Sequence, residues 1–366
     1  MRIAVISTYP GEGSRNIGDK LIELSTRSIL EEIHPEATVD AFWRASNWED
    51  VKHIIHYDHI VFACLAIRTN LTAIYPYLDR VLDSGIPYSV IAAGTELSME
   101  ASSNIDSGYS AAELTLLRRV GSGANVFTTR GALTQYFCQQ IGITSAQFSG
   151  DVAFFDRRFD ERSFLPNMEI RRIAISDPHS PKFYVNAFGR LVCSLRTMFP
   201  DAEIDLNLHG INPFAEKLAT TLGLNVRRLY EKPTNGLDVY DDYDLHVGFR
   251  VHAHVSALKR RKYSYLLEQD GRGRDYGLTI SRRLSVPCPK PHRTLLGRVL
   301  GKVIPRKILE RLHNGSAAPA SAVDSLMARI HRDRESGFDV FSGLEVEIAS
   351  FGINNVDALR STVASS

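Results

Sequence analysis

The feature that most constrains this chain is a repeated alternation: short β-branched, apolar runs separated by amphipathic segments of helix length. Candidate strands fall at 2–8, 38–42, 59–66, 88–93, 125–129 and 146–149, with helical patterns at 20–33, 71–83, 111–119 and 132–141. Strands spaced this way imply parallel βαβ units with right-handed crossovers. The charge-dense stretch 156–171, with Pro166 and Asn167, breaks the rhythm and reads as a linker. The pattern then resumes, with strands at 172–176, 203–208, 225–230, 245–248 and 263–268 and helices near 185–198, 213–222 and 252–259. A chain of 366 residues is also too long for one ordinary core. The expected architecture is α/β: two Rossmann-like domains, 1–155 and 172–280, facing a cleft. Residues 281–366 would form a basic amphipathic segment and a C-terminal helical extension. In open parallel sheets ligands bind beyond the carboxyl ends of the strands, so functional residues are expected there.

Charge narrows the classes of partner. Forty-three Lys and Arg against forty-two Asp and Glu leave a formal charge of +1, so no global field points to nucleic acid. The start Met1-Arg2-Ile3-Ala4-Val5-Ile6-Ser7 is too short an apolar run for a secretory signal, and no window is long enough to span a membrane. Cys64, Cys138, Cys193 and Cys288 lie far apart and read as buried thiols. A cytoplasmic protein is the expectation. Residues 281–313 are the exception in charge, with nine Lys or Arg against Glu310 and Leu, Val and Ile at three- and four-residue steps. Such a stripe either packs on the protein or lies on anionic lipid, and 291–313 is the expected peripheral membrane contact. Asn314–Ala322 has linker composition.

Several strand ends carry residues suited to chemistry. Asn16-Ile17-Gly18-Asp19 precedes a helix; its free N–H groups would suit an anion, or Asp19 simply caps the helix. Gly94-Thr95 is either a ligand-lining loop or a plain turn. Arg130, ahead of a helix, offers a guanidinium for a carboxylate or phosphate, or else a surface ion pair. Gly150-Asp151 has the same ambiguity. The strongest signal is His246-Val247-Gly248-Phe249-Arg250-Val251-His252-Ala253-His254. Arg250 and His252 stand at a helix N-terminus, where positive charge is disfavoured, so an anionic ligand between that terminus and Arg250 is expected to remove the conflict. Residues two apart do not share a helix face, which argues against His252 and His254 as a metal pair, and no metal site is expected. His254 reads as structural. Gly271-Arg272-Gly273-Arg274-Asp275 is expected as a loop, with Arg272 or Arg274 closing on a phosphate or simply solvated.

In this order the segments resemble the polysaccharide pyruvyl transferase family. Asn16–Asp19 is similar to its N-x-G-D start, Thr129–Ala132 to its mid-chain R-G helix start, Gly150–Ala153 to its G-D-x-A segment, and Gly248–His252 to its G-x-R-x-H core. Ile175–His179 (ISDPH) is similar to the opening of its second domain. Val251 stands where Leu is common, and Arg272 and Arg274 stand where the family often has lysine. The resemblance spans about residues 1–280. It implies a GT-B-like pair of domains. It also implies pyruvyl transfer from phosphoenolpyruvate to two sugar hydroxyls, giving a cyclic ketal with no cofactor or metal. Arg250, Arg130 and Arg272 would orient the donor, and His252 would protonate it. Asp19 or Asp151 would take the hydroxyl proton. Asn16, Gly18, Thr95, His179, Gly248 and Arg274 would line the substrates, and the acceptor would be a lipid-linked sugar. A nucleotide-sugar glycosyltransferase and a non-catalytic sugar- or nucleotide-binding scaffold share the same fold.

Overall fold

Buried apolar runs set the strand positions. The strands β3 (His59–Ala63), β5 (Tyr88–Thr95), β11 (Leu245–Gly248) and β12 (Tyr263–Glu268) are buried at every residue. That is the signature of a parallel sheet covered on both faces. The computed structural model describes residues 1–10, 13–96, 108–289 and 318–363. The expected membrane contact at 291–313 lies outside them.

The chain divides into two α/β units. The first comprises residues 1–162, 278–281 and 344–366, and the second 163–277 and 282–343. In the first, β1 (Arg2–Ser7), β2 (Thr38–Trp43), β3, β5, β6 (Phe127–Thr129) and β7 (Gln147–Phe148) lie in the order β2-β1-β3-β5-β6-β7, with β4 (Ala66–Ile67) paired to β5. In the second, β8 (Arg172–Ser176), β9 (Glu203–Leu208), β10 (Asn225–Arg228), β11, β12 and β13 (Ser285–Pro287) lie in the order β10-β9-β8-β11-β12-β13. Every strand pair is parallel. In each sheet the chain winds outward, then returns to the other side of its first strand. The switch points therefore lie between β1 and β3 and between β8 and β11, where the carboxyl ends of adjacent strands open a crevice.

Three local expectations change. The predicted strand 59–66 ends at Ala63, because Cys64 takes a left-handed backbone (φ +56°) and starts a new direction. The predicted loop 271–275 is the first turn of helix Gly271–Thr279. Its glycines fit close packing: a Cβ at Gly277 would lie 2.1 Å from Glu268 Oε1. The predicted linker 314–322 is helical from Ala318 onward. Pro319 sits in the first turn, where it has no helical N–H bond to lose.

The C-terminal helices are shared between the units. Helix Ala318–Glu335 buries Val323, Leu326, Met327 and Ile330 in the second. Helix Leu344–Val363 buries Leu344, Ile348, Phe351, Val356 and Leu359 in the first. Its Phe351 packs against Phe154 (ring centroids 5.4 Å apart) and over Gly150. Its Asn355, fully buried, donates to the Gly150 carbonyl (3.2 Å) and accepts from Ser149 Oγ (3.1 Å).

Candidate active site

The β8/β11 switch point of the second unit gathers the strongest sequence signals. β11 ends at Gly248, and helix Val251–Lys259 starts with Arg250 at its N-cap and His252 in its first turn. A side chain on Gly248 would meet Ser176 Oγ at 2.2 Å, so glycine lets the two strand ends close up. Ser176 Oγ in turn accepts the N–H groups of Phe249 and Arg250, both at 3.0 Å. The helix has no cap bond from its own N-cap side chain, so Ser176 supplies the acceptor at its entry.

The anion expected beside Arg250 is a residue of the chain, Asp177. Arg250 donates from Nε to Asp177 Oδ1 (3.0 Å) and from Nη2 to Oδ2 (2.5 Å), a two-pronged pair whose carboxylate is fully buried. Asp177 also accepts from Asn212 Nδ2 (2.7 Å) and the His209 N–H (3.3 Å). Four donors on one carboxylate hold the guanidinium plane rigidly. Arg250 Nη1 has no hydrogen-bond partner among the described residues, and the side chain keeps 17% exposure. The structure thus offers a pre-oriented cation with one nitrogen left for a ligand.

His209 lies against the same group. Its Nε2 bonds Tyr240 OH (2.7 Å). Burial first, and then the charges of Arg250 and His252, push its pKa well below the usual imidazole range. His209 is therefore a neutral neighbour of Arg250 and His252. Asp177, His209 and Asn212 carry no prediction of their own. Their signal was the strand-end pattern itself: an Asp after β8 within ISDPH, a His after β9 (Glu203–Leu208), and Asn before Pro213, where it caps helix Pro213–Thr221.

His179 is exposed on the loop after β8, and its N–H donates to Gln269 Oε1 (2.8 Å) at the end of β12. Arg272 is not a free cation. It forms a two-pronged pair with Asp270 (3.1 and 2.6 Å), and Asp270 also accepts the Arg272 N–H (3.0 Å). Arg274 Nη1 lies 3.7 Å from Glu268 Oε2. Burial raises the Glu268 pKa, against the opposing effects of Ser285 and Arg274.

The first unit builds a separate cluster at its own strand ends. Asn16, not Asp19, caps helix Ile17–Ile33: its Oδ1 accepts from the Gly18 N–H (3.2 Å). Asp19 accepts from Asn16 Nδ2 (2.9 Å) and stays half-buried. Arg130 does not project into solvent but is 6% exposed. Its guanidinium lies on Gly94, where a Cβ would stand 2.4 Å from Cζ, and Nη1 is 3.7 Å from Cys64 Sγ. Thr95 is buried and donates its N–H to Thr134 Oγ1 (3.2 Å). Asp151, 1% exposed, caps the short helix Val152–Phe154 by accepting from the Ala153 N–H (2.8 Å). Burial pushes the Cys64 thiol up to about 11; Arg130 and Arg44 oppose this, and Asp151 and Asp19 add to it. Mutual electrostatic influence of this kind puts Asp19, Cys64, Arg130 and Asp151 in one neighbourhood.

A family model described as polysaccharide pyruvyl transferase matches residues 16–269. No curated protein matches the chain. Among solved structures it is similar to S. aureus MnaA in complex with UDP (11% identity, TM-score 0.50, covering 93% of this chain and 97% of that one). It is also similar to UDP-GlcNAc 2-epimerase from Neisseria meningitidis bound to UDP-GlcNAc (10%, 0.50, 91% and 100%). At such identities the likeness is one of fold.

Proposed function

This chain belongs to the polysaccharide pyruvyl transferase family, and from that premise we propose that it moves the pyruvyl group of phosphoenolpyruvate onto two hydroxyls of a sugar, releasing phosphate and leaving a cyclic ketal. The observation that carries this reading is the Arg250 fork, locked on Asp177 with no partner for Nη1 among the described residues, two residues from His252. Phosphoenolpyruvate carries a carboxylate and a phosphate, and an oriented guanidinium recognises either. In the proposed reaction the His252 imidazolium protonates C3, which becomes the methyl group, and C2 acquires cationic character. One hydroxyl adds at C2 and phosphate departs with the C–O bonding pair. The second hydroxyl then closes the ketal. Two hydroxyl protons are released; one restores His252 and the other leaves with phosphate. Within the first unit Asp19 is half-buried, while Asp151 is enclosed and spent on a helix cap.

Arg272 and Arg274 are better read as shaping the end of β12 than as donor ligands, since Asp270 and Glu268 already take their charge. The acceptor is proposed to be a lipid-linked precursor of a cell-surface polysaccharide; the basic stripe at 291–313 supports peripheral attachment to an anionic membrane face. No described helix is long and apolar enough to cross a membrane. The decisive experiment incubates the protein with phosphoenolpyruvate and lipid-linked or nitrophenyl sugars. Acceptor-dependent phosphate, one per ketal, is expected. Release of a nucleotide from a sugar nucleotide, with none of phosphate, would instead identify a glycosyltransferase.

A further inference from the structure

Three fully buried strand positions in the second unit hold polar residues where a sheet that only needed to pack would hold Val, Ile or Leu: Ser176, His246 and Ser264. With His254, 1% exposed, they make one continuous hydrogen-bonded line. His246 Nε2 is 2.9 Å from Ser176 Oγ, His246 Nδ1 is 2.8 Å from Ser264 Oγ, and Ser264 Oγ is 2.7 Å from His254 Nδ1. The line runs from the end of β8 across β11 and β12 to the helix that carries His252.

Its direction follows from counting donors. Ser176 Oγ already accepts two backbone N–H groups, from Phe249 and Arg250, which fills its acceptor capacity. Its own proton must go to His246 Nε2. Both histidines are neutral, since burial holds the pKa of His254 down to about 3 and that of His246 well below the usual range. His246 therefore keeps its proton on Nδ1 and donates it to Ser264, whose hydroxyl donates to His254 Nδ1, leaving the His254 proton on Nε2. Every hydrogen bond in the line has a single orientation. A buried hydrogen-bonded line with one orientation specifies one geometry, whereas breaking a link leaves a buried polar group without its partner.

We infer that Ser176, His246, Ser264 and His254 form a positioning bracket that fixes the Phe249–Arg250 turn and the start of helix Val251–Lys259, so that Arg250 and His252 present to the same phosphoenolpyruvate. None of the four touches substrate; each acts through its neighbour, and Ser264 acts through His246 and Ser176 on one side and through His254 on the other. The inference rests on the donor-binding reading of Arg250 and His252.

The test uses the full chain with phosphoenolpyruvate, a sugar acceptor and phosphate release. Ser176→Ala is expected to lower kcat/KM by about a hundredfold with a raised donor KM, and Ser264→Val by about tenfold. Ser264→Thr, which keeps the hydroxyl in nearly the same volume as Val, should recover most of that loss. The double variant Ser176→Ala/Ser264→Val should lose less than the product of the two single losses, because the branch through His246 is common to both. In parallel, nitrogen NMR of the wild type should show His246 protonated at Nδ1 and His254 at Nε2. Wild-type kcat/KM in folded Ser264→Val, losses that multiply in the double variant, or the opposite tautomers would overturn the bracket. If Ser176→Ala does not fold, the Thr/Val pair at Ser264 still decides. A wild type that releases no phosphate with any acceptor sinks the transferase reading instead, while active wild type with indifferent variants sinks only the bracket.

Discussion

At the residue scale the site depends on geometry more than on charge. Arg250 carries two tasks at once, spanning both oxygens of Asp177 and presenting Nη1 outward. Lysine keeps the charge but has a single nitrogen, so it cannot do both. Arg250→Lys is expected to remain folded and lose about 2–4 kcal/mol of transition-state binding, roughly thirty- to several-hundredfold in kcat/KM. Near-wild-type turnover would remove Arg250 from the donor site. His252 is tested differently, because the proposed task is proton donation. His252→Gln keeps hydrogen-bonding capacity but not an acidic proton, and kcat should fall about a hundredfold or more with phosphoenolpyruvate affinity little changed. If glutamine restores the rate, the acid lies elsewhere.

At the element scale the last helix is the part whose position in the chain says least about its work. Leu344–Val363 belongs to the first unit although the second unit precedes it in sequence. There Phe351 and Asn355 close over the Ser149–Gly150–Asp151 turn. Gly150 has φ +82°, and a Cβ there would lie 2.4 Å from the Phe351 ring. Gly150→Ala should therefore destabilise by about 2–4 kcal/mol, part from the left-handed backbone and part from the clash. Pairing it with Phe351→Ala should cost less than the two losses added, because the cavity receives the methyl group. Strict additivity in urea midpoints would show that the helix does not bear on the turn.

At the scale of the whole molecule, acid should unfold this protein earlier than its near-neutral charge suggests. His59, His209, His246 and His254 are all buried, with pKa values pushed down by burial: about 4 for His59, about 3 for His254, and well below the ordinary 6.5 for the other two. Each binds a proton more readily unfolded than folded. Their contribution is complete above pH 6.5 and is lost as pH falls below it, at up to about 1.4 kcal/mol per pH unit for each. Buried Glu268 and half-buried Asp333, whose pKa values burial raises, act in the opposite sense as pH falls through those raised values. Urea midpoints should hold from pH 8 to 7 and drop steadily from 6.5 to 5; a flat profile would contradict neutral burial of the histidines. A second whole-molecule test concerns 291–313. The protein should pellet with anionic liposomes at low salt but not at high salt, and replacing Arg298, Lys302, Arg306 and Lys307 by Gln should abolish it. Equal pelleting of that variant would rule the stretch out as the anchor.

What the sequence determined by itself was the alternation of strands and helices and the strand ends that carry Asn16, Arg130, Asp151, Gly248 and Arg250. Burial on both faces of a parallel sheet writes continuous apolar runs into the chain, and turns write glycine and polar residues after them, so these features are local. The loop reading of 271–275 failed because Gly273 serves packing on Glu268, a contact with a strand rather than a turn in the backbone. What only the tertiary structure decided was which residues meet. Asp177 and Arg250 are 73 residues apart, Ser149 and Asn355 are 206 apart, and no pattern in the sequence states either pair. Sheet order brings the first pair together, since β8 and β11 are neighbours although two strands lie between them in the chain; the packing of helix Leu344–Val363 in the first unit brings the second. Adjacent strands with non-adjacent sequence put their loops into one crevice, so the partner of a charged residue is fixed by topology and not by spacing.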